Sequence, residues 1–169
     1  MSPTRAIAHA WTKPFRTAWV GAAALLLDRL TKWMVMHDMV VGETRLLWPG
    51  VLNITYTQNT GVAFSMLQGG GMLPGVLAAV ALAVMLWLVR GILPRSVMRD
   101  ALCWLLAAGG VGNLIDRLLY GRVTDFLELP WVRFPVFNVA DICLTVAAVC
   151  LMAVLFWGSK EPTREDRGD

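Results

Sequence analysis

The sequence predicts an all-α membrane protein, a single domain over residues 1–169 with four transmembrane helices and a small β cradle on the outer side. Three observations predict it. Of the 169 residues, 57% are hydrophobic and only 16% charged, which is too apolar for a soluble domain of this size. Four stretches, at about 17–36, 72–89, 101–119 and 137–157, approach the ~20 apolar residues that a bilayer crossing needs. The basic residues between them segregate: Arg5, Lys13, Arg16, Arg90, Arg95, Arg99, Lys160, Arg164 and Arg167 fall on one side, and Arg45, Arg122 and Arg133 on the other. By the positive-inside rule both termini are cytoplasmic and the loops at about 37–71 and 120–136 face outward. The net charge of +3 is therefore read as a topology signal; no nucleic-acid partner is expected, because the cations form no patch interleaved with aromatics. The polar N-terminal stretch and the long first apolar run predict no cleavable signal peptide.

The first span carries Asp28, Arg29 and Lys32. Asp28 and Lys32 are four apart and share a helix face, with the acid N-terminal to the base. They form either an intrahelical ion pair or a polar spot near the outer end that meets a lipid headgroup or a peptide carbonyl. Arg29 points elsewhere on the helix and is expected to snorkel or to contact lipid phosphate. In the first outer loop, Leu52, Ile54 and Tyr56 alternate with Asn53, Thr55 and Thr57, the period of two of a half-buried strand. Asn59-Thr60-Gly61 supplies a turn before Val62-Ala63-Phe64, and Gly69-Gly70-Gly71 breaks the chain ahead of the second span. A hairpin or cradle resting on the membrane surface follows.

In the third span Ala108 and Gly112 make a small-xxx-small spacing that lets a neighbouring helix approach. Asn113, Asp116 and Arg117 stand at i, i+3 and i+4, one polar stripe that must face the bundle interior; Asp116 is read as a pairing group. Asp125 lies in a short extended stretch after Gly121, with no helix of its own to cap. The fourth span opens Phe137-Asn138-Val139-Ala140-Asp141, where Asn138 is an N-cap candidate and Asp141 sits in the first turn, favoured by the helix dipole. Taken alone Asp141 reads as a cap. Because the chain reverses between Asp125 and Asp141, the two acids can face each other, and like charges sharing a site keep one proton between them, the chemistry by which paired aspartates activate water. Cys103, Cys143 and Cys150 lie inside apolar segments without metal-like spacing, so buried packing is expected and no metal. The charged run after Gly158 reads as a solvated tail.

The blocks DRLTK at 28–32, QNTGVAF at 58–64, GNLIDR at 112–117, VTDF at 123–126 and FNVAD at 137–141 closely resemble, in order, the five signature blocks of the prolipoprotein signal peptidases, the signal peptidase II family. The resemblance implies a four-helix aspartyl peptidase of the bacterial inner membrane with a periplasmic β cradle and an active site near the periplasmic face. It implies no cofactor, and a diacylglyceryl-modified prolipoprotein substrate cut just before the lipidated cysteine, with membrane lipid around it; a monomer is expected. By position Asp125 and Asp141 match the family's catalytic dyad, while Asp28, Lys32, Asn59, Gly61, Asn113, Arg117 and Asn138 match the polar residues of its site. Arg29 departs from the glutamine usual after the first aspartate, and Ala108-Gly109-Gly110 from the usual Gly-Gly-Ala. The rival is a small proton-coupled transporter or channel subunit, since intramembrane charges also mark ion paths; against it, the acids cluster near one end and no inverted repeat is visible.

Overall fold

The computed structural model describes residues 14–61 and 73–158. The segment Val62-Ala63-Phe64, the Gly69-Gly70-Gly71 break and the tail after Gly158 lie outside the described residues. After a short 3-10 turn at Pro14–Thr17 come helix α1 (Ala18–Asp38), strands β1 (Thr44–Trp48) and β2 (Leu52–Asn59), helices α2 (Leu73–Ile92) and α3 (Val97–Tyr120), strand β3 (Val123–Glu128) and helix α4 (Val139–Gly158). Among the described residues three helices, α2, α3 and α4, are long and apolar enough to cross a membrane; α1, with its Asp28, Arg29 and Lys32, is not among them.

Helix α3 is the hub, packing against α1, α2 and α4, and its glycines explain how. A Cβ on Gly109 would lie 2.5 Å from the Ala140 carbonyl of α4, on Gly110 2.5 Å from the Leu82 side chain of α2, and on Gly112 2.7 Å from an Asp28 oxygen of α1. Each glycine lets a different neighbour close in, where the sequence suggested one close approach. Below this crossing Val89, Leu102, Cys103, Leu106, Ala147 and Leu151 form a buried apolar cluster; Cys103 and Cys143 are free and buried as expected, while Cys150, also expected to be buried, is free and only half-buried. Helix α3 begins at Val97, ahead of the predicted 101, because Ser96 caps it by accepting the Arg99 N–H at 3.1 Å. It ends where Gly121, at φ 68°, takes the left-handed conformation that a side chain disfavours.

The strand expected at 52–57 is present as β2, and its partners among the described residues come from before it and from after α3. β1, β2 and β3 form one antiparallel sheet in that order, so the stretch holding Asp125 is the third strand of the cradle. Asn59 pairs with Val123, Gln58 with Thr124 and Thr57 with Asp125. Phe137 then exchanges backbone hydrogen bonds with Leu127, at 2.7 and 3.0 Å. That bridge docks the entry to α4 on the free edge of β3, and places Asn138 and Asp141 beside Asp125.

Candidate active site

Three buried carboxylates, Asp28, Asp116 and Asp125, and the half-buried Asp141 meet where α1, α3, β3 and α4 converge, and the four divide into two kinds. Asp28 and Asp116, 1% and 0% exposed, are held by cations. Lys32 lies 3.2 Å from Asp28 Oδ2 and 3.0 Å from Asp116 Oδ2, and Arg29 lies 2.8 Å from Asp28 and 2.7 Å from Asp116. The Asp28–Lys32 pair expected within α1 is present, and Asp116 makes the pairing expected of it. The expectation for Arg29 is overturned: its guanidinium turns inward to the two acids. A planar fork with several donors reaches two carboxylates at once, and buried unpaired acids are costly enough to draw it in.

Asp125 and Asp141 make no ion pair among the described residues and are held by neutral amides. Asp125 Oδ1 accepts from Asn138 Nδ2 at 2.6 Å and Oδ2 from Asn59 Nδ2 at 3.1 Å. Asp141 Oδ1 accepts from Asn113 Nδ2 at 2.8 Å, and Oδ2 from the Asn138 backbone N–H at 3.2 Å. In return Asn138 Oδ1 accepts the Asp141 N–H at 2.9 Å, so Asn138 and Asp141 form a reciprocal capping box at the start of α4. The cap reading of Asp141 is thus met, by one of its two oxygens. Asn113 cannot turn its amide over, because its Oδ1 accepts from Lys32 Nζ at 2.8 Å and from Asn138 Nδ2 at 3.1 Å. Asn59 is locked likewise, its Oδ1 taking the Gly61 N–H at 3.0 Å.

Both amide-held acids open, with Asn59 and Arg117, on a cavity of about 520 Å³. Its far wall is apolar: Phe134, Pro135 and Val136 from the loop before α4, and Ile142 and Val146 one turn apart on α4. Arg117 reaches across its mouth, donating to the Asn113 carbonyl at 3.2 Å and toward the Gly61 carbonyl at 3.5 Å. Every residue singled out in the sequence, Asp28, Lys32, Asn59, Gly61, Asn113, Arg117, Asp125, Asn138 and Asp141, is therefore in this region. What the sequence missed is the inward turn of Arg29, the backbone N–H groups of Thr124 and Ala140, held by Asp116 and Asp28 at 3.1 and 3.0 Å, and the 134–137 wall. None leaves a periodic or compositional signal, since backbone groups have no residue identity and the wall is ordinary apolar loop.

Burial pushes the Asp125 carboxyl up to about 6, and the nearby Asp141 charge pushes the same way, against the hydrogen bonds of Asn138 and Asn59 and the charge of Lys32. A raised carboxyl means that the folded protein binds more protons than the unfolded chain between about pH 4 and 6, so this group's contribution to stability is present below about pH 4 and is lost as pH rises through about 6. Asp125→Asn removes that titration. The unfolding temperature of the variant relative to the parent is expected to rise between pH 4 and pH 7, by the equivalent of at most about 3 kcal/mol. A relative stability flat across that range would contradict the raised value.

The sequence and the fold both have relatives. The family model for signal peptidase (SPase) II matches residues 20–157. A lipoprotein signal peptidase of Thermosynechococcus vestitus is 41% identical over 149 residues, covering 85% of this chain and 90% of the relative. One from Enterococcus faecalis is 32% identical over 141 residues, with 83% and 88% covered. Among solved structures, a bacterial membrane enzyme determined by the in meso method superposes with a TM-score of 0.80 at 26% identity, over 88% of this chain and 92% of that one. A second such enzyme gives 0.74 at 27% identity, over 84% and 93%. The transporter alternative finds no support among these relatives.

Proposed function

The chain belongs to the signal peptidase II family, and from that footing we propose that Asp125 and Asp141 are the catalytic pair with which it cuts the peptide bond preceding a lipidated cysteine. It is a membrane peptidase that removes the signal peptide from diacylglyceryl-modified prolipoproteins. One observation carries the assignment of the pair. Of the four acids that meet here, two are neutralised by Arg29 and Lys32, while Asp125 and Asp141 are held by amides alone and face a cavity. Acids without cationic partners are the ones able to share and transfer a proton.

Water between the two carboxylates loses a proton to the ionised partner as it attacks the scissile carbonyl, and the protonated partner donates to the developing oxyanion or the leaving amine. The proton belongs to the pair rather than to either residue. Asn113 and Asn138 fix the carboxylate planes, Arg117 and Asn59 present donors at the cavity mouth, and Asp28 and Lys32 hold this frame from behind. Donors fixed in advance in a water-poor site are where such catalysis gains most. The apolar wall of Phe134, Ile142 and Val146 suits the acyl chains of the substrate, which bring the peptide bond to the pair by proximity. Asn59→Ala removes one donor from Asp125 and is expected to lower turnover by about 5- to 30-fold, the worth of ~1–2 kcal/mol, with folding intact. Cleavage of a diacylglyceryl-cysteine precursor by the purified protein measures it, and unchanged kinetics would take Asn59 out of the site.

The same reading makes α1 a fourth span. Its 21 residues extend about 31 Å, enough for the hydrocarbon core. Its mid-helix charges, Asp28, Arg29 and Lys32, are turned inward and paired, while Trp19, Leu26, Leu27, Leu30, Trp33 and Met34 are each at least half exposed on the outside. Both termini and the turn around Arg95 are then cytoplasmic, and the sheet is periplasmic at the inner membrane. A cysteine placed at position 95 should resist a membrane-impermeant thiol reagent in intact spheroplasts; labelling from outside would invert the topology.

A further inference from the structure

The two acids that carry cations also hold the backbone on which the other two ride. Asp116 Oδ2 accepts the N–H of Thr124, one residue before Asp125, at 3.1 Å; Asp28 Oδ1 accepts the N–H of Ala140, one residue before Asp141, at 3.0 Å. Asp28 belongs to α1 and Asp116 to α3. As two like charges they repel, so the spacing of their anchored backbones depends on the cations between them. Lys32 contributes one contact to each acid and gives its remaining N–H to Asn113. Arg29 spans the same gap with a rigid plane: Nη1 donates to Asp116 Oδ1 at 2.7 Å, while Nη2 and Nε donate to Asp28 Oδ2 at 2.8 and 3.2 Å. A guanidinium holds two carboxylates in a fixed relation, whereas an ammonium on a flexible stem is a point charge.

We propose that Arg29 is a positioning residue of the peptidase: by bridging Asp28 to Asp116 it sets the separation of the Thr124 and Ala140 anchors, and with it the approach of Asp125 to Asp141. The inference rests on the reading of those two acids as the catalytic pair. Arg29 does not line the cavity, so its loss leaves the substrate's contacts in place and acts on the geometry of the pair. A displacement of about 1 Å from the reacting geometry costs on the order of a hundredfold in rate. Turnover should therefore fall while substrate affinity is kept, a split that a purely stabilising ion pair would not produce.

The test measures kcat and KM for a synthetic diacylglyceryl-cysteine precursor with purified Arg29→Ala, Arg29→Met and Arg29→Lys in detergent, each rate divided by the folded fraction from size exclusion. Expected are kcat values at least about tenfold lower for alanine and methionine, KM within about twofold of the parent, and partial recovery of kcat with lysine, which keeps the charge without the fork. If the alanine variant does not fold, the methionine and lysine variants carry the same comparison. Normal kcat per folded molecule in the charge-removing variants, or a loss confined to KM, overturns the proposal. Asp125→Asn run alongside separates the two readings. If that variant retains turnover, the catalytic pair itself is wrong; if it is inactive while the Arg29 variants turn over normally, only the positioning role falls.

Discussion

Asp125→Asn and Asp141→Asn are each expected to reduce cleavage of a diacylglyceryl-cysteine precursor by about 10²- to 10⁴-fold, the range that a lost general acid or base costs. Asparagine keeps the shape of aspartate but cannot take or give the proton. The surrounding amides make the structural cost of each substitution calculable. At position 141 the new carbonyl can still accept the Asn138 N–H and cap α4, since asparagine caps about as well as aspartate. Its NH2, however, then faces the Asn113 Nδ2 that now donates to Asp141, and Asn113 is held in place by Lys32 and Asn138. At position 125 the same opposition arises with Asn59 or Asn138. Each variant thus loses one hydrogen bond and sets two donors together, about 1–3 kcal/mol, which thermal unfolding measured beside the assay will register. If the two acids act as one unit, the double variant should be scarcely slower than either single one, because the second substitution removes a partner already useless. A folded single variant with near-normal turnover would end the aspartyl mechanism.

Much of this site was legible in the sequence because charge inside an apolar chain is costly and so stands out. Asp28 with Lys32 at i, i+4 and Asn113-Asp116-Arg117 on one helical stripe follow from periodicity, and the structure has them where periodicity puts them. The strand at β2 was visible in its alternation. β1, whose residues are all exposed, has no buried face to leave such a pattern, and it went unseen. The pairing of β3 with β2 and the Phe137 bridge went unseen as well, since backbone hydrogen bonds between distant segments leave no mark on residue identity. Arg29 failed for a related reason. Helical position places its Cα off the Asp28–Lys32 face, but a side chain this long reaches around the helix, and the position of Asp116 on a helix 87 residues on decides where it goes. The chain reversal between Asp125 and Asp141 lets the two acids face each other; that they are held by amides, while the cations are spent on two other acids, is visible only in the fold.

Lys32→Met is expected to destabilise the protein by about 3–5 kcal/mol, the cost of removing one partner from a buried charge group. Lys32 is fully buried, and its ammonium has an acceptor for each of its three N–H bonds: Asp28 at 3.2 Å, Asp116 at 3.0 Å and Asn113 at 2.8 Å. Methionine fills similar volume without charge, leaving two buried acids to Arg29 alone. A double-mutant cycle with Asp116→Asn tests whether charge balance is the cause. Asp116→Asn alone should be destabilising, since it leaves the cations in excess, but combined with Lys32→Met the cluster returns to one acid and one base, and the double variant should recover about 1–3 kcal/mol over the sum of the singles. Additive losses would mean that each side chain acts by packing alone, and a Lys32→Met cost below about 1 kcal/mol would mean the cluster is more hydrated than its burial implies. The variant also separates two properties often taken together. Losing the lysine makes α1 more apolar and so easier to insert as an isolated helix, yet the same change should weaken the folded bundle, because the charges of α1 are there to meet those of α3 rather than the lipid.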